Sequence, residues 1–215
     1  MSALNGLETH DEEELLHRAA SGDAEARGAL IDQYRERLHR AVALRLDPRV
    51  RQRLDASDVL QEATIDALKR FDEYFRNPDM PLFLWLRFLT IQRVQAAHRE
   101  HLEAYCRDAR REAKAGPDLV PPPSSADVAA QLVAGHTSPS QAAMRRESQK
   151  RIEEALDKMD SLDREVIALR HVEQLRNVEV ALCLDITPSA ATKRYLRAMK
   201  HLREILTNRS GFSEG

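Results

Sequence analysis

The side chains best able to do chemistry on this chain are two histidines and two cysteines. His98 and His101 are three residues apart, a spacing that puts both on one side of a helix, and Cys106 follows shortly after. A zinc site needs four ligands at fitting spacings, and the sequence offers no fourth. Cys183 lies far away in a dissimilar segment, so the cysteines form no CxxC pair and suit a reducing cytoplasm. We therefore expect no metal, no cofactor and no enzymatic activity.

A different chemistry, the binding of nucleic acid, is indicated near the C-terminus. Basic residues crowd this end, although the formal net charge of the chain is −2. Ala191, Tyr195, Ala198 and Leu202 recur at helical spacing, which predicts one buried stripe. The other side of this helix carries cations, short polar groups and a leucine, which suit the phosphates, base edges and thymine methyl groups of a major groove. The predicted contact residues are Ser189, Thr192, Lys193, Arg194, Leu196, Arg197 and Lys200.

The elements around this basic face have the layout of a helix-turn-helix. Residues 178–184 predict a short helix and residues 185–187 predict the turn. Pro188 opens the second helix at the position where its missing N–H costs least, with Thr187 as the N-cap. A glycine often stands where this chain has Asp185, but aspartate tolerates the left-handed conformation better than most residues. A basic helix face alone is more often simply solvated, so the prediction of DNA contact depends on the whole layout.

Helical spacing of apolar residues also runs through residues 11–105. Gly22 separates the first two helices, and Ser57 or Asp58 is expected to cap the third. Pro78 and Pro81 break the chain before a fourth helix. This part of the chain is therefore predicted to be a helical domain.

Two features of that domain suit a binding partner. Spacing on the third helix predicts a polar ridge, which could dock a basic coiled coil but is by itself ordinary solvent-facing surface. The ridge consists of Asp58, Gln61, Glu62 and Asp66. On the fourth helix Trp85 could stack on an unpaired base, but Leu82 and Leu89 share its face, which favours a place in the core.

The composition agrees with helices throughout. Charged residues make up 32% of the 215 residues and aromatic residues 5%, with only 7 glycines, a balance that favours amphipathic helices over sheets. The most apolar window, residues 82–89, is too short to span a bilayer, and the N-terminus has no signal pattern. We therefore expect no membrane insertion.

The predicted fold class is all-α, with two small helical domains joined by a flexible linker. The linker is indicated by a rise in proline, serine and glycine after Gly116, although Val128, Leu132 and Val133 leave room for a short helix within it. The predicted divisions are a flexible N-terminus 1–10, a helical domain 11–105, a linker 106–147, a helix-turn-helix domain 148–207 and a flexible tail 208–215.

Longer stretches resemble a known family. The run ALDKMDSLDREVIALR at 155–170, followed by Glu179-Val180-Ala181, resembles region 4 of sigma-70-family factors. Residues 58–63 resemble the region 2 helix that docks on the polymerase clamp, and residues 83–87 resemble its melting helix. Two motif sets in this order, with no acidic first domain and no third domain between them, are similar to the extracytoplasmic-function (ECF) group. Residues 55–62 and 98–102 further resemble planctomycete-type members.

This resemblance implies an RNA polymerase sigma factor that recognises minus-35 and minus-10 promoter elements and promotes DNA opening in the cytoplasm. It implies that the polar ridge docks on the clamp coiled coil of core polymerase, that the C-terminal domain touches the flap, and that an anti-sigma factor is a candidate partner. The loop 76–80 lies where the family captures an extruded base. The implied minus-10 contacts are Arg76, Asn77, Arg87, Gln92, Arg93 and Arg99.

The alternative is a free-standing helix-turn-helix regulator that binds duplex DNA by itself. It would explain residues 152–206 but would leave the polar ridge and the Trp85 helix without a role. The two hypotheses differ over dependence on polymerase.

Overall fold

A computed structural model describes residues 4–106, 122–134 and 142–210, and these residues form helices with no strand among them. The predicted all-α class is confirmed. The helices of the described ranges are α1 (Leu4–Ala20), α2 (Ala24–Arg45), α3 (Pro48–Arg51), α4 (Ala56–Arg76), α5 (Leu82–Cys106), α6 (Ser125–Ala134), α7 (Ala142–Leu156), α8 (Ser161–His171), α9 (Asn177–Cys183) and α10 (Pro188–Ser210). The chain divides into two compact units, an N-terminal unit of residues 1–42 and 48–120 and a C-terminal unit of residues 43–47 and 121–215.

The core of the N-terminal unit lies where α4 packs against α5. Trp85 is only 8% exposed, and its ring centroid is 5.4 Å from that of Phe71 and 4.9 Å from that of Tyr74. Ring pairs at such distances add to the energy of apolar burial. The prediction that Trp85 belongs to the core is confirmed.

The helix boundaries of this unit follow local signals in the sequence. Gly22 has a φ of 94°, which a glycine adopts without strain, and it separates α1 from α2. α5 begins directly after Pro81, as predicted. The prediction that Ser57 or Asp58 caps the next helix is wrong, because Asp55 is the N-cap of α4 and accepts the Ser57 N–H at 3.2 Å.

The C-terminal unit contains a helix inside the predicted linker. In α6, Val128 and Ala129 are fully buried and Val133 is 5% exposed, and the helix packs against α7 and α8. The Arg164 guanidinium donates to the Ser125 hydroxyl at 3.1 Å. Residues 125–134 are therefore part of the folded unit and not a flexible linker, whereas 107–121 and 135–141 lie outside the described residues.

The predicted flexible ends also differ from the structure. α1 begins at Leu4, within the predicted N-terminus 1–10, and α10 continues to Ser210, within the predicted tail 208–215. Residues 1–3 and 211–215 lie outside the described residues.

A short segment of residues 43–47 completes the C-terminal unit. The Arg45 side chain is fully buried, with Nη2 2.5 Å from Glu165 Oε1 and Nη1 2.6 Å from Glu173 Oε1. The Glu173 side chain is also fully buried. Since a buried charge is tolerated only when it is paired and hydrogen-bonded, this cluster fixes the segment within the unit. The Ser124 N–H adds a hydrogen bond to the Leu44 carbonyl at 2.7 Å.

Candidate nucleic-acid interface

The C-terminal unit contains the predicted helix-turn-helix in α9 and α10. Pro188 is the first residue of α10, and the Ala190 N–H donates to the Thr187 hydroxyl at 3.2 Å, which confirms Thr187 as the N-cap. Asp185 has a φ of 51°, the left-handed conformation that the turn requires. The predicted boundaries of α9 shift by one residue.

The start of α10 is fastened by a residue that sequence analysis missed. The Asn177 side-chain amide, at the beginning of α9, donates to the Pro188 carbonyl at 2.8 Å, and the Thr192 hydroxyl donates to the same carbonyl at 3.1 Å. Asn177 therefore sets the position of the first turn of α10 relative to α9. No local signal marks it, because its partner is 11 residues away.

Glu179 explains part of the sequence motif in structural terms. Its side chain is 7% exposed and accepts the Arg176 N–H at 2.6 Å, which satisfies a free donor at the start of α9. The glutamate of the Glu179-Val180-Ala181 run thus stabilises the short helix and does not face a ligand.

The inner side of α10 matches the predicted stripe, except at one edge. Ala191 and Ala198 are fully buried and Leu202 is 5% exposed. Tyr195 is only half-buried, and its hydroxyl lies 2.9 Å from His171 Nε2. Desolvation of the His171 ring and the nearby positive charge of Arg170 hold the pKa of His171 below its ordinary value of 6.5.

The outer side of α10 is exposed and predominantly basic. Six of the seven predicted minus-35 residues lie there: Ser189, Thr192, Lys193, Leu196, Arg197 and Lys200. The Lys200 ammonium is 3.7 Å from the Glu204 carboxylate. Arg203, which sequence analysis did not select, is exposed on the same face, seven residues after Leu196.

Arg194, the seventh predicted residue, is placed differently. Its guanidinium lies 3.8 Å from the carboxylate of Asp163, a residue of α8 whose side chain is 7% exposed, and His201 lies 3.9 Å from the same carboxylate. Asp163 also donates its N–H to the Asp160 carboxylate at 2.8 Å. Arg194 therefore contacts α8 within the unit and stands apart from the exposed face.

The polar ridge of α4 is partly engaged within the N-terminal unit. The Asp58 carboxylate accepts the Asp55 N–H at 3.2 Å in a capping box. Arg93 of α5 contacts Glu62 and lies 3.5 Å from the Asp66 carboxylate. Gln61 is exposed.

Two apolar side chains that sequence analysis left out share this surface of α4. Ile65 is 45% exposed and Leu68 is 40% exposed, four and seven residues after Gln61. Positions at this spacing lie along one face of a helix. We call Gln61, Ile65 and Leu68 the α4 stripe.

The implied minus-10 residues have unequal positions. Arg87 is only 8% exposed, whereas a DNA contact requires a cation at the surface. Arg93 is directed to α4. Arg76 and Asn77 are exposed at the end of α4, and Gln92 and Arg99 are exposed on α5.

Phe88 is a further exposed residue on α5 that sequence analysis missed. It is 48% exposed and lies four residues before Gln92 and eleven before Arg99, so the three side chains share one face. The sequence pattern does not mark Phe88 as exposed, because nearly every position from 82 to 91 is apolar. An aromatic ring, an amide and a cation therefore follow one another along α5.

The described residues offer neither of two other kinds of site, a metal centre and a membrane-spanning helix. No cluster of three or more His, Cys, Asp or Glu side chains there could hold a metal ion. None of the helices described combines the length and apolar character needed to cross a membrane.

Comparison with known proteins agrees with this geometry. Residues 149–202 match the family described as Sigma-70, region 4. The chain is 28% identical over 189 residues to the ECF RNA polymerase sigma factor SigD of Mycobacterium tuberculosis and of Mycobacterium bovis, which covers 86% of this chain and 79% of each relative. The fold is similar to that of CnrH, solved in complex with the cytosolic domain of CnrY, with a TM-score of 0.55 and 23% identity over 92% of this chain and 97% of that one. Residues 149–202 thus match sigma-70 region 4, and the chain is similar over most of its length to the ECF RNA polymerase sigma factor SigD.

Proposed function

We propose that this chain is an ECF-type sigma factor that binds core RNA polymerase, recognises minus-35 and minus-10 promoter elements and promotes DNA opening in the cytoplasm. The observation that carries the proposal is the exposed basic face of α10 in a helix-turn-helix that matches sigma-70 region 4. The similarity to SigD extends over 86% of the chain and supports a role for both units. The likeness of residues 55–62 and 98–102 to planctomycete-type members supports membership of that subgroup.

The minus-35 element would lie against the outer face of α10. Lys193, Arg197 and Lys200 supply cations for phosphates, and Ser189 lies near the helix N-terminus, which itself favours anionic groups. Arg203 extends the face by one turn. Arg194 would act indirectly, since its contact with Asp163 fixes α10 on α8.

The minus-10 element would meet the exposed face of α5 as single-stranded DNA. Phe88 offers a ring on which an unpaired base can stack, Gln92 can hydrogen-bond to a base edge and Arg99 can pair with the backbone. Arg76 and Asn77 would add contacts at the end of α4. Arg87 and Arg93 have structural positions and are not included.

Core polymerase would bind the α4 stripe with its acidic border. Gln61, Ile65 and Leu68 provide a partly apolar surface, and Asp58, Glu62 and Asp66 add negative charge that suits a basic coiled coil. The flap of the polymerase would contact the C-terminal unit. Because CnrH was solved with the cytosolic domain of CnrY, we also propose a protein inhibitor of the anti-sigma type as a partner.

The test is binding of the full chain to bacterial core RNA polymerase. The Gln61→Arg, Ile65→Arg variant adds two positive charges to the α4 stripe at exposed positions, so the fold should be preserved. Its matched control, Gln33→Arg with Gln52→Arg, adds the same charge at exposed positions elsewhere in the N-terminal unit. We expect tight binding by the parent and the control, and binding weaker by about tenfold or more in the stripe variant.

The outcomes separate the two candidate functions. No binding by the parent would contradict the sigma-factor proposal and favour a free-standing helix-turn-helix regulator that recognises duplex DNA without polymerase. Equal loss in both double variants would contradict docking through the α4 stripe. Circular dichroism of each variant should show the helix content of the parent.

A further inference from the structure

Leu196 is an apolar side chain at the centre of the basic face of α10. It is 60% exposed, and residues seven before it and four after it, Ser189 and Lys200, lie on the same line of the helix. Single exposed leucines are common on protein surfaces. This one is different because cations border it at positions 193, 197 and 200, on the surface that the proposed function presents to DNA.

Thr192 adds a second apolar group beside Leu196. The two residues are four apart, so their side chains are neighbours on the helix surface. The Thr192 hydroxyl donates its hydrogen to the Pro188 carbonyl at 3.1 Å, so that hydrogen is already used within the helix. The γ-methyl is therefore the group that Thr192 can add beside Leu196 on an otherwise charged face.

Leucine can neither donate nor accept a hydrogen bond, so it can distinguish base pairs only through an apolar contact. Among the base edges in the major groove, the apolar group is the 5-methyl of thymine. The surrounding cations would hold the helix on the phosphates without sequence preference. The centre of the face would then determine which sequence is preferred.

We propose that Leu196, with the Thr192 methyl beside it, selects the minus-35 sequence by packing against a thymine 5-methyl group. The inference rests on the proposed function, since it assumes that this face meets duplex DNA. It goes further by naming a specificity-determining residue and the chemical group that it recognises. A protein partner could also cover an exposed leucine, but the cations around this one favour a polyanion.

The test uses the full chain bound to core polymerase. Preferred duplexes are first selected from a random library, and each thymine of the selected minus-35 element is then replaced by deoxyuridine, which removes only the methyl group. We expect about fourfold weaker binding at one or two positions, the effect of burying one methyl-sized group. In Leu196→Ala the same thymine and uracil duplexes should bind equally. Leu162→Ala removes a leucine that is 51% exposed on α8 and should keep the preference for thymine.

Each other result would overturn the inference. Uracil without effect at every position, selected sequences without thymine, or an equal uracil penalty in the parent and in Leu196→Ala would exclude recognition by Leu196. Weaker polymerase binding by Leu196→Ala with an unchanged thymine preference would assign Leu196 to a protein contact. If the chain binds polymerase but selects no sequence, the minus-35 role itself fails; if it does not bind polymerase, the sigma-factor proposal fails.

Discussion

The basic side chains of α10 and of α5 differ in exposure at several positions, although both helices carry arginines at positions that suit DNA. On α10, Lys193 and Arg197 are exposed. On α5, Arg87 is buried and Arg93 forms ion pairs with acidic residues of α4. A sequence shows that an arginine is present. Only the tertiary structure shows whether its guanidinium is exposed to a partner or forms ion pairs within the fold.

The difference follows from how each helix is patterned. On α10 small apolar residues alternate with polar ones at helical spacing, so the inner and outer faces can be told apart. From Leu82 to Ile91 nearly every residue of α5 is apolar, and the sequence pattern does not separate buried positions from exposed Phe88. The sequence therefore separates exposed from buried positions more clearly on α10 than on α5.

The largest effect is expected from removing a cation that is fully buried and paired within the fold. Arg45→Ala removes the partner of two carboxylates, Glu165 and the fully buried Glu173. Leaving buried charges uncompensated should lower the free energy of unfolding by about 3–5 kcal/mol. Urea denaturation followed by circular dichroism measures the loss, with Trp85 fluorescence as a separate probe of the N-terminal unit.

A surface arginine serves as the control for that experiment. Arg35→Ala removes an ion pair to Asp32 whose side chains are 55% and 71% exposed, and it should change stability by less than about 0.5 kcal/mol. If Arg45→Ala were as mild as Arg35→Ala, the buried cluster would have no special role in the stability of the chain.

Two arginines of α10 provide a sharper test within one helix. Arg197→Ala removes an exposed cation, so affinity for promoter duplex should fall about fivefold and the slope of log affinity against log salt should decrease by about 0.9. Arg194→Ala breaks the contact with Asp163, so it should leave the salt slope unchanged and lower stability by up to about 1 kcal/mol. Salt titrations of duplex binding by the polymerase-bound chain measure both slopes. Equal slope changes in the two variants would contradict the assigned faces.

Much of the fold could be predicted because its signals are local. Pro188, Thr187 and Asp185 specify the turn of the helix-turn-helix within four residues, and Pro81 marks the start of α5. The missed features depend on partners distant in sequence. Arg45 and Glu165 are 120 residues apart, and no helical period relates them.

The candidate interfaces show the same division. The helical period of α10 predicts the exposure of six of the seven selected residues, and Arg194 is the exception because its partner Asp163 lies on another helix. On α4 the helical spacing predicts the polar ridge, but it does not show that Ile65 and Leu68 beside the ridge are 45% and 40% exposed. An apolar side chain is exposed where no other element packs over it, and this depends on tertiary structure that the local sequence pattern does not determine.

The smallest expected effect concerns His171, which contacts Tyr195 at the inner edge of α10. Its pKa is lowered in the folded chain by desolvation and by Arg170, so the unfolded chain binds more protons near pH 6.5 than the folded chain does. Its contribution to stability is therefore largest at neutral pH and declines as the pH falls through about 6.5. His171→Gln keeps a polar group beside Tyr195 but cannot titrate, so its stability should depend less steeply on pH between about 7 and 5. Urea midpoints of the parent and the variant across this range measure the difference in pH dependence. The other histidines are present in both proteins, so their contributions cancel in the comparison. Parallel pH profiles of the two proteins would contradict this prediction, because they would show that protonation of His171 is not coupled to folding.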